Sequence, residues 1–149
     1  MKILITGASG FVGKNLVSAL RCIKDGKDRT HPSLTVDELY LYDIDSPASL
    51  LEEACEKADF VFNLAGVNRP QTQEEFMQGN FGFASDLLNL LKKHGNTCPV
   101  MLASSIQATL IGRYDSEYGR SKKAGEELFF SYAQQTGAKV LVYRFPNLF

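Results

Sequence analysis

The sequence predicts an α/β fold, a doubly wound parallel sheet with helices on both faces. Three observations carry this. Five short apolar runs of strand character alternate with four segments of helical periodicity. A glycine-rich stretch, "TGASGFVG", closes the first apolar run and opens the first helix. The 149 residues, 44% hydrophobic and 22% charged, suit one soluble domain with a core of ordinary size.

In chain order, "KILIT" (2–6) is a strand buried on both faces. Phe11, Val12, Leu16, Ala19, Leu20 and Ile23 recur at helical spacing and predict a helix from Phe11 to about Lys24. The polar segment 25–38 has no periodicity and reads as an exposed loop. "LYLYD" (39–43) is the second strand. Ser46 as N-cap and Pro47 at the first helical position predict a helix through "ASLLEEACEKA". "DFVFNLA" (59–65) is the third strand, and a long helix is expected from about Gln73 to His94, stopped by Gly95. "PVMLASS" (99–105) is the fourth strand and 106–115 a connection. A helix from near Ser116, closed by Gly137, leads to the fifth strand, "KVLVYRF" (139–145). Right-handed crossovers and the early glycine turn make this a Rossmann-type sheet.

Composition narrows the function classes. A net charge of −1 gives no electrostatic reason for a nucleic-acid or anionic-membrane partner. Cys22, Cys55 and Cys98 lie far apart and outside any metal spacing, so they are expected as small buried hydrophobes of a reducing compartment. His31 and His94 suggest no metal site. No signal-peptide pattern and no membrane-spanning apolar run is visible, and a cytoplasmic domain is the expectation.

Gly7, Gly10 and Gly13 form G-x-x-G-x-x-G at a strand-to-helix turn. Gly7 permits the tight turn, Gly10 permits backbone approach to a pyrophosphate, and Gly13 permits close packing of the helix on the sheet. N–H groups of the helix's first turn, at Phe11 and Val12, then face phosphates at the positive dipole end. Asp43, closing the second strand, is the candidate for the adenosine ribose hydroxyls, and an acid there disfavours the 2′-phosphate of NADP. The cofactor expected is therefore NAD or NADP, with a lean to NAD. Asp43 lies 36 residues after Gly7, later than usual, and Asp45 follows it. Either acid also suits a capping role for the helix near Pro47.

Tyr118 and Lys122 are four apart and share a helix face. They open the helix after the fourth strand, which ends in Ser104-Ser105. Carboxyl ends of parallel strands line the ligand crevice, so Ser105, Tyr118 and Lys122 are expected to converge there, with Ser104 as the alternative serine. A lysine ammonium one turn away favours the tyrosine phenolate, so Tyr118 can exchange a proton with a substrate oxygen. Ser105 would hydrogen-bond that oxygen, and Lys122 would also hold the nicotinamide ribose. An exposed charged face in "RSKKAGEE" is the competing reading.

Taken in order, "TGASGFVG", "FNLAGVN" (62–68), Asn80 in "GNFGFASDLL", "LASSIQAT", "YGRSK" and "YRFPNLF" span the whole chain. They resemble the motifs of the extended short-chain dehydrogenase/reductase family, the NAD-dependent epimerases and dehydratases, whose members act largely on nucleotide sugars. The resemblance implies that Leu64, Ala65 and Gly66 run beside the adenosine half of the cofactor. It also implies that Asn80 supports the site, Pro146 lies near the nicotinamide and Asn147 meets the nucleotide sugar. "NLAGVNRP", "SSIQAT" and "YGRSKKAGEELF" look like the bacterial capsule and O-antigen enzymes of UDP-N-acetyl-L-fucosamine synthesis. That closer likeness implies reduction of the 4-keto group of a UDP-2-acetamido-2,6-dideoxy hexose, with a separate cupin-like domain epimerising the 3-position. By it, Arg69 faces the substrate, though a surface arginine after a turn is an equal reading.

The segment between Asp43 and the third strand is short, lacking a strand–helix unit common among extended members. "LVYRFPNLF" ends where the resemblance places the first substrate contacts, so the sequence reads as the N-terminal NAD(P)-binding domain (1–149) of a longer enzyme, inactive alone. A homodimer is a possible partner state by the same resemblance. A dinucleotide-binding module without catalysis is the alternative function.

Overall fold

The computed structural model describes residues 1–66, 81–105, 108 and 117–146. Its strands are β1 (Lys2–Thr6), β2 (Glu38–Tyr42), β3 (Phe60–Asn63), β4 (Val100–Ser105) and β5 (Val140–Phe145). Among the described residues the helices are α1 (Phe11–Lys24), α2 (Ala48–Lys57), α3 (Phe83–Lys93) and α4 (Glu117–Thr136). The strands form one parallel sheet in the order β2-β1-β3-β4-β5.

The order follows from the helix layers. Ile3 and Ile5 of β1 pack with Val17 and Leu20 of α1 on one face. Leu4, Val61 and Leu102 face the other way, against Leu51 of α2, Leu87, Leu88 and Leu91 of α3, and Phe129 and Tyr132 of α4. Alternating side chains on a strand buried on both sides require this continuous apolar run. The chain leaves β1 through α1 to β2, then crosses back to β3 on the other side of β1. The strand order therefore reverses between β1 and β3, where a doubly wound sheet opens its ligand crevice. β2 and β5 are the two border strands, and no strand among the described residues lies beyond β2, in agreement with the short segment after Asp43.

β4 and β5 reach further than the strands beside them. Asn63 is the last residue of β3 and pairs with Leu102, yet β4 continues to Ser105 alongside Phe145 of β5. Three more residues at about 3.3 Å each carry this pair roughly 10 Å beyond the β1–β3 rim.

The structure corrects several expectations. Strand ends shift by a residue or two, as caps and frayed ends do. Ser46 does not cap α2: its hydroxyl accepts the Asp43 N–H at 2.9 Å, and Pro47 occupies the N-cap. The helix expected from Gln73 is described from Phe83, after a wider π-type turn at 81–82, and its expected first turns lie outside the described residues. Cys55 is buried and Cys98 half-buried, but Cys22 is exposed. Burial pushes the Cys55 thiol up to about 12 and the Cys98 thiol up to about 11, so both stay protonated. No helix among the described residues is long and apolar enough to cross a membrane.

Asn96, just after α3, fastens this helical layer. Its amide nitrogen donates to the Cys55 and Ala58 carbonyls at 2.9 Å each, and its oxygen accepts the Cys98 N–H at 3.0 Å. Carbonyls at the end of α2 thus find a partner from the segment after α3. Asn96→Ala should cost about 2 kcal/mol of stability in urea unfolding, because it strands backbone groups that water reaches poorly. Asn96→Asp should not restore it, having lost both donors.

Candidate functional site

The glycine turn is the floor of the crevice. Gly7 takes φ +69°, and a Cβ there would stand 2.7 Å from the Leu64 carbonyl carbon and the Ala65 nitrogen. The turns after β1 and β3 therefore touch backbone to backbone. A Cβ on Gly13 would stand 2.2 Å from the Gly7 oxygen. The third glycine seats α1 against the turn itself rather than against the sheet, because the chain doubles back within one helical turn. Gly10 is different: a Cβ there would come no nearer than 3.4 Å to the Gly7 oxygen. It leaves the outer side of the turn open.

That open side is where α1 begins. Gly10 is its N-cap, no side chain caps it and its first turn holds no acid. Phe11 is 67% exposed and Val12 half-buried. An uncapped helix start at an open glycine turn offers backbone donors and a positive dipole end to an anion. Gly7, Gly10, Phe11, Val12 and Gly13 thus fit a dinucleotide pyrophosphate.

Asp43 belongs to the same turn. Its carboxylate accepts the Ser9 N–H at 2.9 Å and the Ile44 N–H at 2.8 Å. Burial would raise its pKa, but these N–H groups outweigh it and hold the carboxyl below its usual value. Asp43 therefore locks the end of β2 to the glycine turn and caps no helix, while Asp45 is exposed. Beside it, between α1 and the β2–α2 turn, lies an open cleft of about 490 Å³. Lys14, Arg21 and Lys27 line it together with Asp25, Asp43 and Asp45, so it carries no net sign.

At the rim between β1 and β3, polar groups are buried and satisfied. The Thr6 hydroxyl donates to Asn63 Oδ1 at 2.6 Å and accepts the Ala65 N–H at 3.3 Å. The Leu64 N–H donates to the Thr6 carbonyl at 3.1 Å. Leu64 and Ala65 are half-buried and Gly66 is exposed, so the stretch lies along the crevice beside the glycine turn.

The third part is the projecting end of β4 and β5. Lys122 is only 8% exposed, and its ammonium donates to the Ala103 carbonyl at 3.2 Å. Burial lowers its pKa to about 8. The Ser104 hydroxyl donates to the buried Glu126 carboxylate at 2.5 Å, which engages the alternative serine on the α4 side of the sheet. Ser105, also buried, alternates to the other side at the last rung of β4. Pro146 follows β5, next to the Ser105–Phe145 rung, and is exposed. Lys122 and Ser105 thus meet the same strand end from opposite sides. Tyr118 opens α4, one turn before Lys122. Its side chain, like Arg69, Asn80 and Asn147, lies outside the described residues. Among the described residues no cluster of His, Cys, Asp or Glu could hold a metal ion.

The sequence reading passed over four residues of this site: Thr6, Asn63, Glu126 and Arg144. A signal was there. Thr6 and Asn63 are polar ends of apolar runs, and Arg144 is a charge inside a strand.

A glycine turn at the switch point, an acid after β2 and a buried lysine at the β4 end define a dinucleotide-binding doubly wound protein. Residues 3–149 match the NAD dependent epimerase/dehydratase family, and the chain belongs to that family. It is 38% identical, over all its length, to a UDP-2-acetamido-2,6-beta-L-arabino-hexul-4-ose reductase of Pseudomonas aeruginosa. The capsular polysaccharide assembling protein CapF of Staphylococcus aureus shares 40% identity over the whole chain, with a TM-score of 0.76. The chain spans 36% of the length of each of these relatives. RMD of Pseudomonas aeruginosa, solved with NADPH, shares 25% identity with a TM-score of 0.73, covering 99% of this chain and 55% of that one.

The lowered pKa of Lys122 has a consequence for stability. The folded state holds the proton less tightly than the unfolded chain, so the charged lysine destabilises fully below about pH 8. This cost fades as pH rises from about 8 to the ordinary lysine value. Lys122→Met should therefore be more stable than the parent at pH 7, by on the order of 1–3 kcal/mol. The gap in thermal midpoint should close by about pH 10. A gap that stays constant over this range would refute the burial of a charged Lys122.

Proposed function

We propose that this chain is the cofactor-holding domain, residues 1–149, of an NAD-dependent nucleotide-sugar reductase. The substrate class is a UDP-2-acetamido-2,6-dideoxy hexose with a 4-keto group, in capsule or O-antigen synthesis. The observation that carries the reading is the buried Lys122 ammonium on the Ala103 carbonyl, at the strand end that projects over the crevice. A binding module has no use for a buried cation one turn from a tyrosine, whereas proton transfer does. Identity with a 4-keto-sugar reductase over the whole chain supports the substrate class.

The bound nicotinamide supplies the hydride, and the protein handles everything else. Gly7, Gly10, Phe11, Val12 and Gly13 hold the pyrophosphate, and Leu64, Ala65 and Gly66 flank the adenosine half. Tyr118 gives its phenolic proton to the substrate oxygen as the carbonyl becomes a hydroxyl. The Lys122 ammonium stabilises the phenolate left behind and lowers the pKa of Tyr118 towards neutrality. Ser105 donates a hydrogen bond to the same oxygen. Asn80 supports the site, Pro146 borders the nicotinamide, and Asn147 and Arg69 meet the sugar nucleotide.

The cofactor reading favours NAD. Asp43 is kept ionised beside the glycine turn, and the cleft next to it balances three bases with three acids. A 2′-phosphate entering there would lose its hydration without finding net positive charge.

Titration of the chain with NADH and NADPH tests the cofactor reading. NADH should bind about tenfold more tightly than NADPH, and Asp43→Asn should narrow that ratio to less than about threefold. Equal binding of both by the parent chain would remove the NAD preference, and no binding of either below millimolar would remove the cofactor function. In the enzyme that carries this domain, Tyr118→Phe should lower kcat for the UDP-4-keto sugar by at least about 10³-fold and leave the NADH Kd within about twofold. Turnover near the parent rate would sink the proton-transfer role.

A further inference from the structure

Glu126 lies two turns along α4 from Tyr118 and one turn from Lys122, so the three share a helix face. It is 2% exposed, and it is the only buried carboxylate among the described residues. Burying a carboxylate is costly unless it is paired and hydrogen-bonded, and this one is both. Arg144 Nη2 donates to Oε1 at 2.7 Å, and Arg144 Nε lies 3.0 Å from Oε2 and 3.2 Å from Oε1. Ser104 Oγ adds a third donor. Burial alone would raise the Glu126 pKa, but Arg144 and Ser104 outweigh it and keep the group ionised.

The placement of its partners is what matters. Ser104 and Arg144 are directly paired across the β4–β5 ladder. The next rung holds Ser105 and Phe145, and Pro146 comes one residue later. One helical turn towards the start of α4, Lys122 fastens to Ala103, the residue before Ser104. A single carboxylate therefore ties the helix that carries Tyr118 and Lys122 to both strands that carry Ser105 and Pro146. It does so one rung behind the projecting end, where β3 no longer supports β4. Arg144 is 46% exposed, so the carboxylate is buried while its cationic partner reaches the surface.

We propose that Glu126, clasped by Ser104 and Arg144, is a positioning residue that sets the height of Lys122 against the ends of β4 and β5. It acts on the cofactor through Lys122. This rests on the proposed function together with the expectation from the sequence that Lys122 also holds the nicotinamide ribose.

A double-mutant cycle on the 149-residue chain tests it. The clasp is removed as Glu126→Gln with Arg144→Met, so that no buried charge is left alone. Lys122→Met is the second arm, and the readouts are the NADH Kd and backbone amide exchange. Each arm should weaken NADH binding by about fivefold or more, and the combination should be no weaker than Lys122→Met alone, within about twofold. Amide exchange at Ser105 and Gly119–Lys122 should quicken by at least about tenfold in the clasp variant, with β1 and β2 unchanged. Losses that multiply instead would mean a general structural role and would overturn the proposal. So would parent-like exchange at Ser105 and Lys122. If the parent chain bound no dinucleotide, the cofactor reading would fall, and the exchange pattern alone would decide on the clasp. Ser104→Ala, which keeps the ion pair, is the milder variant should the double substitution fail to fold, and the same exchange pattern at reduced size is expected.

Discussion

The contact between the turns after β1 and β3 is the constraint on which the rest of the molecule depends. Gly7 approaches the Leu64–Ala65 backbone more closely than any side chain would permit. Thr6 then ties both turns together through its carbonyl and its hydroxyl. With the two turns in contact, α1 must start directly above them, and Gly13 lets it do so. The helix dipole is thereby aimed across the switch point. Asp43 joins the same knot through Ser9, so three strand ends are fixed by one backbone turn.

The second support works by charge rather than by close approach. At the far end of the crevice β4 and β5 extend, paired to each other, past the last rung that β4 shares with β3. Glu126, Arg144 and Ser104 tie this end to α4 with a half-buried ion pair and a hydroxyl. Such a pair adds less to stability than apolar packing of equal volume, but it fixes direction more tightly. The proton transfer we propose here, which aligns a donor with a substrate oxygen, would benefit from direction more than from depth of burial.

Much of this was legible in the sequence. The strands showed because each is buried on both faces, and the glycine turn showed because three glycines at that spacing follow a strand. Less visible was anything that depends on partners far apart in the chain. The bond from Ser9 to Asp43 spans 34 residues, and nothing near Asp43 separates that role from helix capping. Ser46 looked like a cap because a serine before a proline usually is one, yet its hydroxyl was claimed by the Asp43 N–H. Glu126 was hidden for another reason. In "RSKKAGEELFF" it reads as one more surface charge, although its i+4 and i+8 spacing from Lys122 and Tyr118 already put it on the inner face.

The position of β2 at the border of the sheet separates two kinds of change. Asp43 hangs from a strand with a single neighbour, reached through the 25–38 loop, so substitutions there disturb one ladder and the Ser9 tie to the glycine turn. Ser105 sits on β4 and Lys122 is fastened to it from α4, and β4 has a strand on each side and a half-buried ion pair beside it. Descendants of such a chain can exchange one dinucleotide for another by editing the border alone. A change in the chemistry of the substrate end must pass through the interior, where few single substitutions are tolerated. Cofactor choice is therefore expected to drift among relatives faster than the residues at the β4 end to which we assign proton handling.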